Sequence, residues 1–198
     1  MHVAHNETDR FFYYIMEIAD DAIAGQQFDA ANYTPLTLAA LVRKEAELPL
    51  PRCLQIAVAL TEALGFLHQQ KLVHRDIKPA NIIFVNGTPK LADIDLVTDI
   101  APEGKPCTCL GTFGYIPPEG PGTPVADIYS FGKVLYDLSF GRQKRTFPDI
   151  QTSLVMGNPE SPLFQLNEII IKSCENDPRD RYQSMAELRA ALLTLPNS

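Results

Sequence analysis

No uninterrupted apolar stretch in this sequence reaches the ~20 residues needed to cross a bilayer, and its first residues lack the basic-then-apolar layout of a secretory leader. A cytoplasmic protein is the expectation. Positive charge is scarce: 17 Lys and Arg stand against 24 Asp and Glu, a net charge of −7. A general nucleic-acid or anionic-membrane surface needs clustered cations to displace counterions, so neither is an expected partner. Cysteine is sparse too. Cys107 and Cys109 have no second pair and no neighbouring histidine, which argues against zinc, and four cysteines in 198 residues do not make a secreted disulfide framework. Cys53, Cys107, Cys109 and Cys174 read as reduced thiols. Internal repeats and low-complexity tracts are missing, and 45% hydrophobic residues suffice for one domain around one core.

What is present is organised around Leu72–Leu96. Asn86-Gly87 suits the positive φ angles of a two-residue hairpin turn, and Ile82-Ile83-Phe84-Val85 precedes it. Pairing Val85 with Thr88 sets Ile82 against Leu91 and Asn81 against Ala92, which leaves Asn81 and Asp93 side by side where the strands end. An amide and a carboxylate there are oxygen donors suited to Mg²⁺. Just upstream lie Asp76, a carboxylate able to take a proton from a hydroxyl, and Lys78, able to steady a transferred phosphoryl group.

His74–Asn81, HRDIKPAN, resembles the catalytic loop of eukaryotic-type serine/threonine protein kinases, including those of bacteria, and Leu91–Asp95, LADID, resembles their Asp-Phe-Gly segment. The resemblance implies ATP and Mg²⁺ as cofactors, Asp76 as the base, Lys78 beside it, and Asn81 and Asp93 as metal ligands. His74 would then be structural, and no serine or cysteine stands with it as in a hydrolase triad. It also implies a fold that is mainly α with short β-hairpins, the large lobe of a kinase, with the small lobe largely absent. Phe11–Asp21 would be the last small-lobe strand and hinge, and 22–195 the large lobe. Met16 would be the gatekeeper, Glu17–Ala19 would bond adenine through their backbone, and Ile83 would lie beneath it.

Residues 1–10 are polar and read as a frayed, disordered end, which leaves Phe11–Ile18 a strand without a partner. Ordinary core is an equally open reading of that strand. No glycine-rich loop, Val-Ala-Ile-Lys-like strand or glutamate-bearing helix is found, so a start inside the domain is the expectation. Helices are expected over Leu36–Lys44 and from Pro51 to about Gln70, the latter with His68 near its end.

Val97–Phe113 reads as a mobile surface loop, and the GTFGYIPPEG that overlaps its end resembles the segment that docks a polypeptide substrate. A protein substrate follows from that likeness. Thr112 would hydrogen-bond Asp76 and Lys78, while Arg75 and a phosphorylated Thr108 would form a regulatory pair. Asp127 opens a helix running to Phe140 and would hold the catalytic loop's backbone, or act as a plain N-cap. Further helices are expected over Leu163–Cys174 and, from a capping box at Ser184–Glu187, to about Leu193. Glu119 and Arg181 would form a buried ion pair.

Two departures from the family pattern matter. Asp95 stands where glycine is usual, and could bind Mg²⁺, repel phosphate or point away. The missing phosphate-holding elements leave two expectations: a serine/threonine kinase cut short, or a catalytically silent kinase-like interaction module. The intact Asp76, Lys78, Asn81 and Asp93 favour the kinase.

Overall fold

The structure is a computed structural model that describes residues 2–6, 11–27, 29–45, 48–100, 111–141, 147 and 161–196, with backbone only for 2–6 and 11–14. Thr108, Cys107 and Cys109 lie outside the described residues. The elements run β1 (His2–Asn6), β2 (Phe11–Ile15), α1 (Leu38–Lys44), α2 (Leu50–Gln69), β3 (Leu72–Val73), β4 (Ile82–Val85), β5 (Thr88–Leu91), β6 (Thr98–Asp99), α3 (Pro124–Phe140), α4 (Pro162–Ser173) and α5 (Met185–Leu193). Among the described residues helices dominate and the strands form three two-stranded antiparallel sheets.

The first sheet corrects the reading of residues 1–10 as a frayed end. His2–Asn6 pairs with β2, His2 opposite Ile15 and Asn6 opposite Phe11, so the backbone of β2 does have a partner. Apolar alternation could not reveal β1, because strand pairing is made by backbone groups and this strand is mostly polar. The third sheet has the register expected from Asn86-Gly87, with Ile82 opposite Leu91 and Val85 opposite Thr88. Both turn residues take positive φ, 52° and 72°. Pro89 fits this hairpin because it faces Phe84, whose backbone groups point away from β5: Phe84 N–H donates to Leu36 C=O at 3.0 Å and its C=O accepts from Asp20 N–H at 2.7 Å. Asp20 also accepts from the turn itself, at Asn86 N and Gly87 N (2.9 and 2.8 Å). The segment after β2 is thereby fastened to the hairpin that Asn81 precedes.

The core lies among the helices. Leu54, Ala57, Leu60 and Leu64 of α2, Ile128, Phe131 and Leu135 of α3, Leu166 and Ile170 of α4, and Leu188 and Leu192 of α5 are buried together. Among the described residues only α2 is long and apolar enough, by length and composition, to cross a membrane. Its buried face belongs to this core, and its Arg52 and Glu62 hydrogen-bond Glu45 and Arg189. Gly132 marks where α3 and α4 touch: a Cβ there would stand 2.6 Å from Cys174 Sγ and 2.8 Å from Ser173 Cβ. Cys53 and Cys174 are buried free thiols, and burial pushes their pKa up to about 11 and about 12.

Two further elements differ from expectation, and α5 has the expected cap and extent, Met185–Leu193, but a different partner for Glu187. Thr123, not Asp127, caps α3, accepting from Ala126 N at 3.1 Å with Pro124 as the first helical residue. At α5, Ser184 accepts from Glu187 N at 3.2 Å, while the Glu187 carboxylate reaches back one residue past the cap to Gln183 N at 2.8 Å. Within the expected loop after Leu96, Thr98–Asp99 pairs with β3, Val73 opposite Thr98, which closes one side of the catalytic-loop segment.

Candidate active site

Asp76 sits at the centre of a convergent set of donors. Its Oδ1 accepts from Thr112 Oγ1 at 2.7 Å, and its Oδ2 accepts from Lys78 Nζ at 2.6 Å and Asn81 Nδ2 at 2.9 Å. Lys78 Nζ also donates to Thr112 Oγ1 at 2.8 Å, so the three side chains form a closed ring. Asp76 is only 7% exposed. A carboxylate offers about four acceptor sites and three are used, which leaves room for one further hydroxyl.

These side chains meet because the backbone around them is held. Asp127, 1% exposed, accepts from His74 N at 2.8 Å and Arg75 N at 3.0 Å, and its Oδ2 lies 2.9 Å from His68 Nε2. Arg75 follows at φ 70°, a left-handed conformation that those bonds maintain. From the other side Gly111 lets Thr112 approach: a Cβ there would lie 3.1 Å from the Arg75 carbonyl and 3.0 Å from Ile116 Cγ1, at φ 141°. His74 is buried, and neither ring nitrogen has a hydrogen-bond partner among the described residues.

Burial alone would push the Asp76 carboxyl up, but the hydrogen bonds from Lys78 and Thr112, the Lys78 charge and Asn81 together hold it below its ordinary 3.8. The stability contributed by this ionised form is present above that value and is lost as pH falls through the lowered one. Lys78→Met removes the strongest donor and is expected to move the Asp76 titration upward, read by carboxyl-carbon NMR. An unchanged titration would show that the other donors set it.

Asn81 uses its amide nitrogen on Asp76, to the backbone carbonyl at 3.0 Å as well as the carboxylate, and its backbone carbonyl accepts from Ala92 N at 2.8 Å. The amide oxygen is thus the donor atom it has to offer. Asp93 follows Ala92 at φ 60° and lines a cavity of ≈ 210 Å³ with Met16, Glu17, Ile83 and Ala92. Ala19 stands apart from that cavity's lining but is buried in one cluster with Ile83, Val85 and Ala92, and it lines a neighbouring cavity of ≈ 290 Å³ with Glu17 and Val85. Lys90 forms an ion pair with Glu17. Asp95 is exposed and does not take the positive φ that glycine would permit, so the substitution imposes no left-handed strain.

Glu119 and Arg181 meet in a two-pronged pair, Nη1 to Oε1 at 2.6 Å and Nη2 to Oε2 at 2.9 Å, tying the docking-like segment to the end of the helical core. Several supports carry no local signal: Asp20 on the hairpin turn, His68 on Asp127, and Tyr33, whose hydroxyl donates to Ala19 C=O at 3.1 Å. Only the long-range fold brings these together.

The family description "Protein kinase domain" matches residues 5–194. The chain belongs to the protein kinase domain family. Serine/threonine-protein kinase PknB of Mycobacterium tuberculosis is 30% identical over 181 residues, covering 82% of this chain and 29% of the relative. A probable serine/threonine-protein kinase of Clostridium acetobutylicum is 31% identical over 185 residues, covering 82% and 27%. A putative cysteine-rich receptor-like protein kinase of Arabidopsis thaliana is 33% identical over 153 residues, covering 68% and 23%. This kinase domain therefore spans less than a third of the length of these curated relatives.

Proposed function

We propose that this kinase domain transfers the γ-phosphoryl group of ATP to serine or threonine hydroxyls of proteins. The carrying observation is the closed ring of Asp76, Lys78 and Thr112, with Asn81 on the same carboxylate oxygen as Lys78. The acceptor hydroxyl takes the remaining site on Asp76, which orients it and receives its proton as the new O–P bond forms and the bond from the γ-phosphorus to the β,γ-bridging oxygen breaks, with ADP as the leaving group. Lys78 offsets the negative charge of the group in transfer. Thr112 fixes the distance between these two and is the second residue of GTFGYIPPEG, the run whose family likeness supports a polypeptide acceptor.

The hard oxygen donors of Asn81 and Asp93 fit Mg²⁺, since the amide nitrogen of Asn81 is already committed to Asp76 and Asp93 opens onto the cavity. When bound, Mg²⁺ neutralises phosphate charge. Met16, Glu17, Ala19 and Ile83 would hold the adenine. A reducing, cytoplasmic setting belongs to the same proposal and is supported by the thiols of Cys53 and Cys174.

Asp93→Ala in the full-length protein is expected to raise the Mg²⁺ concentration needed for half-maximal phosphate transfer by about tenfold or more, since losing only an outer-shell support of a metal ligand already costs about that much. A Mg²⁺ dependence equal to wild type would remove Asp93 from the reading.

A further inference from the structure

Lys78, Thr112 and Asn81 fix the Asp76 carboxylate, but the backbone that carries Asp76 is fixed from elsewhere. The stretch from the end of α2 to Asp76 contains two non-glycine residues in the left-handed region, Lys71 at φ 62° and Arg75 at φ 70°. A residue with a Cβ keeps that conformation only where surrounding bonds offset its steric cost. His68, in the last turn of α2, supports both. Its backbone C=O accepts from Lys71 N at 2.9 Å, and Lys71 C=O in turn accepts from Ile100 N at 3.0 Å. Its Nε2 lies 2.9 Å from Asp127 Oδ2, the same oxygen that accepts from His74 N at 2.8 Å, while Asp127 Oδ1 accepts from Arg75 N at 3.0 Å. An ionised carboxylate only accepts, so the imidazole donates here through Nε2–H. The His68 and Asp127 side chains are 10% and 2% exposed, which leaves little water to replace this bond.

We propose that His68 is a positioning residue for phosphoryl transfer, acting through Asp127 on the backbone that carries Asp76. The inference rests on the phosphoryl-transfer reading and deepens it. Asp127 stands in the first turn of α3, and two of its three donors, His74 N and Arg75 N, belong to the loop it holds. The third, His68, comes from α2. Without it the carboxylate is tied only to the segment it must restrain and can turn together with that segment. With it the carboxylate is fixed between two helices whose buried faces share one core, and Arg75 is held in its left-handed conformation against a fixed point. Asp76 is the next residue, so a change in the Arg75 backbone angles swings the carboxylate that receives the acceptor's proton. A misplacement of about 1 Å costs on the order of 10²-fold in rate. His68 does not line the cavity assigned to the adenine, so its effect falls on the rate and not on nucleotide binding.

The test compares wild type, His68→Phe and His68→Gln in the full-length protein. Phenylalanine keeps a planar ring but has no N–H, whereas glutamine can bring an amide N–H to the same oxygen. Hydrogen exchange of the His74 and Arg75 amides is read beside kcat and the ATP Kd. In His68→Phe the two amides are expected to exchange about tenfold faster and kcat to fall about tenfold, the scale of one hydrogen bond to a charged group, with the ATP Kd within about twofold. His68→Gln should recover most of both losses. Unchanged exchange of the two amides in folded His68→Phe, faster exchange with kcat unchanged, or a kcat loss matched by lost ATP affinity would overturn the inference while leaving the phosphoryl-transfer reading in place. So would a His68→Gln that loses as much as His68→Phe, since ring packing and not the hydrogen bond would then be the cause. If thermal melting shows that His68→Phe does not fold, His68→Gln decides alone: wild-type exchange and kcat uphold the inference, and loss of either overturns it. Wild-type protein that transfers no phosphate would overturn the phosphoryl-transfer reading, and the inference with it.

Discussion

Asp76→Asn is expected to lower the rate of phosphate transfer by about 10²- to 10⁴-fold, the usual contribution of a positioned general base, with little change in nucleotide affinity. The expectation follows from what the substitution leaves intact. Asparagine is isosteric, and its side-chain oxygen can still accept from Lys78 and Asn81 or from Thr112, so the ring of 2.6 to 2.9 Å contacts loses part of its acceptor capacity rather than its shape. What it cannot do is take up a proton. The adenine is assigned to the cavity lined by Met16, Glu17 and Ile83, which Asp76 does not line, so nucleotide binding should be little affected. Comparing kcat with the ATP Kd in wild type and variant separates the two contributions. Equal rates would mean that Asp76 has no chemical role and that the domain does something else with the same fold.

Glu119→Ala is expected to destabilise the domain by about 3 kcal/mol, near the lower end of what removing one partner of a buried pair costs. The Arg181 side chain is fully buried, while Glu119 keeps 29% exposure, so some water can reach the abandoned guanidinium. Arg181 retains the carbonyls of Glu175, Val125 and Asn176 at 2.7 to 3.3 Å, and the face of Tyr129 at 4.8 Å. None of these neutralises its charge. Chemical denaturation should show a lower midpoint with the slope unchanged, and Glu119→Gln should lose less because it keeps an acceptor. An unshifted midpoint for Glu119→Ala would show the pair to be a surface contact.

The parts of this architecture legible in the sequence are those that local chemistry dictates. Asn86-Gly87 specifies its turn by backbone angle, and the turn fixes the register that sets Asn81 beside the end of β5. The apolar spacing of Leu54, Ala57 and Leu64, or of Ile128, Phe131 and Leu135, announces which helix faces are buried. The parts that were not legible depend on groups that carry no pattern. β1 is a strand because its backbone pairs with β2, and its polar residues gave no alternation to read. Asp20 and Asp21 look like the end of a strand in sequence. In the fold they serve as two acceptors, one on the hairpin turn and one on the detour that carries Tyr33. Asp127 could be read as a cap because it stands near a helix start, yet Thr123 takes that place and leaves Asp127 to the catalytic-loop backbone. Asp95 is ambiguous from residue type alone; its exposure and the absence of a positive φ show that the substitution imposes no left-handed strain.

The central claim is that the ring around Asp76 delivers phosphate to an aliphatic hydroxyl. The most direct measurement is phosphoamino-acid analysis after the full-length protein is incubated with γ-labelled ATP, Mg²⁺ and a mixed protein acceptor, alongside Asp76→Asn. Label on phosphoserine or phosphothreonine in the wild-type reaction, and its loss in the variant, is the predicted result. Label confined to phosphotyrosine, equal label from the variant, or no Mg²⁺-dependent label from wild type would contradict the account.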